Sequence, residues 1–283
     1  MSFASEAKSE LTHLEVADCC AIAELQGLSI GSFSVGTLRL RTESAAIARR
    51  FLQLAGQVGA LRPTVSVTRG AGARGRHLYQ VCLPEDALTH RKRAGRCDRR
   101  AFLRGAFLAV GSVSDPHVGG YHLELAVPTA QGAKRLENAL KACGISAHLT
   151  HRRNEVVFYI KEGETIASFL QTAGASHSLL AFEDVRIVRS MKNRVNRLVN
   201  AETANLEKSI AVAVRQREAI ERLDAMGALG GLPAKLQEVA RLRLRYPEAT
   251  LAELGRLLPQ PLSKSTVGRR LAAIEAVARD HTS

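Results

Sequence analysis

AELQGLSIGS at Ala23–Ser32 and LRGAFLAVGS at Leu103–Ser112 are two versions of one pattern. Each is a run of small and apolar residues at helical spacing that ends in a Gly-Ser corner. The corners, Gly31 and Gly111, lie 80 residues apart. Alternating segments follow: SFSVGTLRLRT, which places Leu38 and Leu40 on one face, and YHLELAVP, which does the same with Leu123 and Leu125. Alternation with period two is the mark of a half-buried strand.

An amphipathic helix comes next in each copy. Ile47, Phe51, Leu54 and Val58 space the apolar stripe of the first, and Ala133, Leu136, Leu140 and Cys143 that of the second. Two more strands close each unit. TVSVT and HLYQVCL are joined by the basic loop RGAGARGR, and ISAHLT and EVVFYI by HRRN. The order helix–strand–strand–helix–strand–strand therefore occurs twice, over about 18–90 and 97–175, as in a duplicated supersecondary unit. Ala23 and Gly27 are four apart, as are Gly105 and Ala109, a spacing that lets two helix backbones approach closely. The expectation is that the two opening helices pack on each other about a pseudo-two-fold axis.

The chain has 283 residues, 46% hydrophobic and 24% charged, which excludes wholesale disorder. No apolar run is long enough for a membrane-spanning helix. The N-terminal MSFASEAKSELTHLEV lacks the apolar core of a signal peptide, so a cytoplasmic location is expected. Five cysteines without a CxxC pair argue against a disulfide framework and against a structural zinc site.

Net charge is +13, and residues 91–199 carry +9 of it. HRKRAGRCDRRAFLR, His90–Arg104, is the densest cluster. A basic excess of this kind points to a polyanion, with nucleic acid first among the partners. Aromatics are only 4% with no Trp, a poor supply for a base-stacking platform. Duplex DNA is thus favoured over single strands.

The C-terminal part reads as all helix. Residues 185–230 form a long, initially basic helix with Arg186, Arg189, Lys192, Arg194 and Arg197. Three helices follow. LPAKLQEVARLRLRYP begins near Pro233 and stops at Pro247. TLAELGRLL opens with a capping box, Thr250 and Glu253. The last starts after Ser263, with Val267, Leu271, Ile274 and Ala278 as its buried stripe. A short helix, a tight turn and a longer helix are helix-turn-helix spacing. Lys264, Ser265, Thr266, Arg269 and Arg270 lie off the stripe and are the candidate DNA-reading residues. Arg91, Lys92, Arg93 and Arg96 are candidate phosphate contacts.

The two opening helices resemble degenerate copies of the LAGLIDADG motif of homing endonucleases. The whole chain resembles the WhiA family of bacterial regulators. The resemblance rests on MSFASEAKSEL, Cys19-Cys20, LRGAFLAVGSVSDP, MKNRVNRLVNAETANLEK and PLSKSTVGRRL. It implies an α+β chain: a duplicated LAGLIDADG-like αββαββ saddle over 1–185, a helical linker over 186–231, and an all-α helix-turn-helix domain over 232–283. It also implies a DNA-binding regulator of cell division, chromosome segregation and, where present, sporulation, associated with the nucleoid. Another transcription factor or RNA polymerase is a further class of partner, and the oligomeric state stays open. Gly268 departs from the family, where an Asn or similar polar residue is usual.

LAGLIDADG nucleases need an acid just before the motif glycine to hold a divalent metal between the helices. Here Ile30 and Val110 occupy those positions, and neither can ligate a hard cation. The nearest acid, Asp115, serves one repeat only. The reading is a scaffold without a metal cofactor or nuclease activity. Its rivals are a surviving metal-dependent endonuclease and a regulator that senses a ligand or protein through the saddle.

Overall fold

The computed structural model describes residues 2–32, 36–59, 63–69, 77–84 and 95–280. The chain divides into two compact units, Met1–Ser190 and Met191–Ser283.

The first unit begins with α1 (Phe3–Thr12) and α2 (Asp18–Leu28). A 3-10 turn at Ile30–Ser32, strand β1 (Thr37–Thr42) and helix α3 (Ala45–Gln57) follow. Strands β2 (Thr64–Arg69) and β3 (His77–Pro84) complete an antiparallel sheet of order β1-β3-β2. The second copy is α4 (Arg96–Val110), β4 (Gly111–Val113), β5 (Leu123–Val127), α5 (Ala130–Ala142), β6 (His148–Arg152) and β7 (Glu155–Ile160). Its sheet has the order β4-β5-β7-β6. The second copy thus shows the whole helix–strand–strand–helix–strand–strand order. In the first, one strand precedes α3 among the described residues. Helix α6 (Gly163–Ala173) and the start of α7 (Ser176–Ala225) end this unit.

The periodicities read from sequence translate directly into burial. Leu38, Leu40, Leu123 and Leu125 face the core, as do Ile47, Phe51, Leu54, Leu136 and Leu140. Ser44 and Thr129 cap α3 and α5 by accepting from the backbone N–H groups of Ile47 and Gly132. The helices α1 and α6 carry no role in the duplicated pattern, yet both enter the same core. Glu10 on α1 accepts from the backbone N–H groups of His177 and Ser178, a carboxylate at the positive N-terminal end of α7.

Helices α2 and α4 run side by side through the middle of this unit. A Cβ on Gly27 would fall 2.2 Å from the Phe102 carbonyl oxygen, and one on Gly105 would fall 2.2 Å from that of Glu24. Only glycine permits so close an approach. The two contacts mirror each other about the pseudo-two-fold axis, and Gly27 and Gly105 lie 78 positions apart. The helix starts, Asp18 and Arg96, are also 78 apart. The Gly-Ser corners are 80 apart because α4 stays helical to Val110, whereas α2 gives way to a 3-10 turn.

The same axis brings together Cys19 and Cys20 of α2 with Cys97 and Asp98 of α4, all four ligand atoms within 4.8 Å of one another. The missing CxxC pair, on which the argument against a structural zinc site rested, says nothing about a cluster of this kind. Linear spacing cannot register ligands contributed by two helices that pair only in the fold. All five cysteines are thiols.

The second unit has its own core. Beyond α7 lie α8 (Ala234–Arg245), α9 (Leu251–Leu257) and α10 (Lys264–Asp280). Val239, Leu254, Val267, Leu271, Ile274 and Ala278 are buried together. They are joined by Ala219, Ile220 and Leu223 of α7. The sequence reading placed these three in the linker, but their apolar side chains belong to this core. Among the described residues no helix is long and apolar enough to cross a membrane.

Candidate nucleic-acid interface

The reading helix is built by its caps and its stripe. Thr250 and Glu253 form a reciprocal capping box on α9. The backbone N–H of Thr250 and its hydroxyl hold the Glu253 carboxyl below its ordinary pKa. The turn to α10 closes with Leu262 N donating to Gly255 O at 3.0 Å. A Cβ on Gly255 would lie 2.3 Å from the Leu262 carbonyl oxygen, so the tight turn demands glycine here. Ser263 Oγ then accepts from the Thr266 N–H at 3.3 Å and caps α10.

Burying Val267, Leu271, Ile274 and Ala278 fixes which side of α10 faces out. Lys264, Ser265 and Arg269 are exposed, and Thr266 and Arg270 are half-buried. Ser265 and Thr266 exchange hydroxyl contacts with Ser263 at 2.9 Å each. Arg270 donates to the Lys235 carbonyl of α8 at 3.4 Å. The five candidates are therefore not equivalent. Lys264, Ser265 and Arg269 point outward, while Arg270 leans back on the domain.

Sequence reasoning missed Arg243. It reads as one more basic residue of α8, but it is 2% exposed. Its guanidinium donates to the carbonyls of Pro247, at 3.3 Å, and Ala249, at 2.7 Å, tying down the α8–α9 connection. Burial lowers its pKa. The signal was positional: Arg243 falls one turn after the buried Val239, on the same face of α8.

In the basic cluster, Arg91, Lys92 and Arg93 lie outside the described residues. Arg96 opens α4 and is exposed, as is Arg99. Arg100 and Arg104 are committed elsewhere. Arg100 donates to the carbonyls of Gln171 and Thr172 and Arg104 to that of Ala173, which satisfies the last turn of α6. Arg104 also pairs with the buried Glu24 at 2.8 Å, and Arg50 holds the other carboxylate oxygen at 2.8 Å. On α7, Arg186 is ion-paired with Glu164 and Glu183, and Arg189 donates to the Gly119 carbonyl. Lys192, Arg194 and Arg197 are exposed.

At the far ends of the central helices, Ile30 is buried at 2% exposure and Val110 packs partly buried against the core. The Gly31 Cβ position lies 2.8 Å from Val110 Cγ1, so the two helix ends abut through hydrocarbon. Neither residue offers a ligand atom. Asp115 is exposed and accepts from the His117 N–H, closing a local turn.

Family models agree with this architecture. A WhiA LAGLIDADG-like domain matches residues 99–192, and a WhiA C-terminal HTH domain matches residues 195–278. The chain belongs to the WhiA family. Its relatives include a probable cell division protein WhiA of Oceanobacillus iheyensis, 39% identical over 98% of this chain and 97% of that protein. The counterpart in Bacillus licheniformis is 41% identical over 98% of this chain and 96% of its own length. Among solved structures, full-length DUF199/WhiA from Thermatoga maritima is similar with a TM-score of 0.60 at 27% identity. The match covers 99% of both chains. The fold expected from the repeats, a LAGLIDADG-like unit joined to a helix-turn-helix, is the fold of this family.

Proposed function

We propose that this WhiA-family chain is a DNA-binding regulator of bacterial cell division that does not cut DNA. The reading extends to chromosome segregation and, where the organism sporulates, to sporulation. The exposed face of α10 carries it. Lys264, Ser265 and Arg269 project from a helix whose opposite stripe is locked into the domain, a geometry suited to a major groove. Arginine there can pair with guanine edges, and the serine and lysine reach bases or phosphates. Arg91, Lys92, Arg93 and Arg96 add phosphate contacts and place the chain on the nucleoid. Hydrocarbon at the buried Ile30 and the partly buried Val110 supports the loss of metal-dependent cleavage, since hard cations need oxygen ligands there.

Two measurements test this. Fluorescence anisotropy of the full chain on labelled duplexes should show salt-sensitive binding that Arg269→Ala weakens. Supercoiled plasmid incubated with Mg²⁺ or Mn²⁺ should stay uncut. Metal-dependent nicking would overturn the non-nuclease half, and unaltered binding by the variant would overturn the assignment of α10.

A further inference from the structure

We infer that Cys19, Cys20, Cys97 and Asp98 form a binding site for one thiophilic divalent cation, zinc by its chemistry, clamping the starts of the two central helices. Cys19 Sγ and Cys20 Sγ are 3.7 Å apart. Two sulfurs bound about 2.3 Å from a tetrahedral zinc are themselves about 3.8 Å apart, so this pair already has the required separation. Cys97 Sγ lies 3.8 Å from Asp98 Oδ1, and no pair of the four ligand atoms is further apart than 4.8 Å. Closing the widest pair asks for a shift of about one ångström, within reach of a χ1 adjustment at the exposed Cys97.

The surroundings fit a bound cation. Asp98 Oδ2 accepts from the Gly95 N–H at 2.7 Å, an outer hydrogen bond that orients the carboxylate while Oδ1 faces the sulfurs. Three thiolates and one carboxylate around a divalent cation leave a net charge of about −2. That charge would lie at the N-terminal ends of both α2 and α4, where helix dipoles favour it. Arg96, Arg100 and Arg104 line the adjoining cleft with Cys20 and Cys97. Soft sulfur donors select zinc over magnesium or calcium. The cation replaces the thiol protons, which leave to solvent. The site is at the opposite end of the helix pair from Ile30 and Val110, so it is unrelated to the nuclease metal positions. It would cross-link two helices that come from separate repeats.

The test uses the full chain, reduced, stripped with chelator, and titrated with Co²⁺ alone. One Co²⁺ per chain should bind, with thiolate charge transfer and the intense visible bands of a tetrahedral site, and Zn²⁺ should displace it. Zn²⁺ should also raise the melting temperature, because it binds the folded state. Cys97→Ser, at an exposed position, should keep the fold and lose more than about a hundredfold in metal affinity, beyond the loss of an outer-shell partner. Cys143→Ser, outside the cluster, should bind as the parent does. The proposal is overturned if Co²⁺ gives only weak octahedral bands, or if Cys97→Ser binds unchanged. It is equally overturned if Cys97 forms a disulfide with Cys19 or Cys20 in air with Zn²⁺ present, which would make the cluster a redox pair.

Discussion

Glu24 Oε2 accepts a hydrogen bond from Arg104 Nε at 2.8 Å, although the Glu24 side chain is wholly buried and the partners are 80 residues apart in sequence. Arg50 holds the other oxygen, so one carboxylate from α2 ties together α3 and α4. Its arginines in turn reach the carbonyls of Leu14 and Ala173. One carboxylate thus faces two guanidinium groups, and the Leu14 and Ala173 carbonyls take up part of the positive charge that is left over.

Glu24→Ala should therefore destabilise the chain severely, by about 3–5 kcal/mol, because it takes the carboxylate away from the buried Arg50 and the partly buried Arg104. Urea unfolding of the parent and variant measures this. A loss under about 1 kcal/mol would mean the network is replaceable by water.

Gly27→Ala should cost about 1–3 kcal/mol, since the added carbon collides with the α4 backbone and forces the helices apart. Gly56→Ala on α3 is the control. Nothing lies within 4 Å of its Cβ position, so it should gain up to about 1 kcal/mol from helix propensity. Equal effects of the two substitutions would contradict the close helix crossing.

Gly268 lies in α10, and the nearest atom to its Cβ position is Leu251 Cδ1 at an ordinary 3.5 Å. Gly268→Ala should thus stabilise the C-terminal unit by up to about 1 kcal/mol. Thermal unfolding followed by circular dichroism reads the gain, and a lowered melting temperature would show that the helix has no room there.

Arg269 and Arg270 should separate. Arg269→Ala should weaken binding to the best duplex site by about 1–3 kcal/mol with the melting temperature unchanged. Arg270→Ala should do less to affinity, because its guanidinium is drawn toward Lys235 of α8. Anisotropy titrations rank the two, and the reverse order would reassign the reading face.

Neutralising Arg91, Lys92, Arg93 and Arg96 should weaken specific and non-specific duplexes by similar factors. Every phosphate that is no longer neutralised should flatten the plot of log affinity against log salt by about 0.9. Titrations of both duplexes at several salt concentrations test this, and an unchanged slope removes the cluster from the interface.

Much of this molecule was legible before folding. The duplication, the strand faces of Leu38, Leu40, Leu123 and Leu125, the Thr250–Glu253 box and the Val267–Ala278 stripe all rest on local spacing. Local spacing is what backbone geometry and apolar burial dictate within one element. The helix pairing was also legible, because a glycine and an alanine four residues apart in each helix leave room for two backbones to meet. The basic residues were less so. Arg104 and Arg243 count as positive charge in a composition, but one is spent on Glu24 and the other on two backbone carbonyls.

Sequence alone thus determined the elements, their order, their apolar faces and the family. The elements and their faces follow from periodicities of two and 3.6 residues that need no distant partner, and the family from the resemblance of its motifs. Tertiary structure alone decided which charges remain exposed and which residues meet across the pseudo-two-fold axis. Cys19, Cys20, Cys97 and Asp98 converge only because Gly27 and Gly105 let α2 and α4 touch in one register. An arginine's role likewise depends on the carboxylate or carbonyl that packing brings within about 3 Å, a proximity no linear pattern encodes.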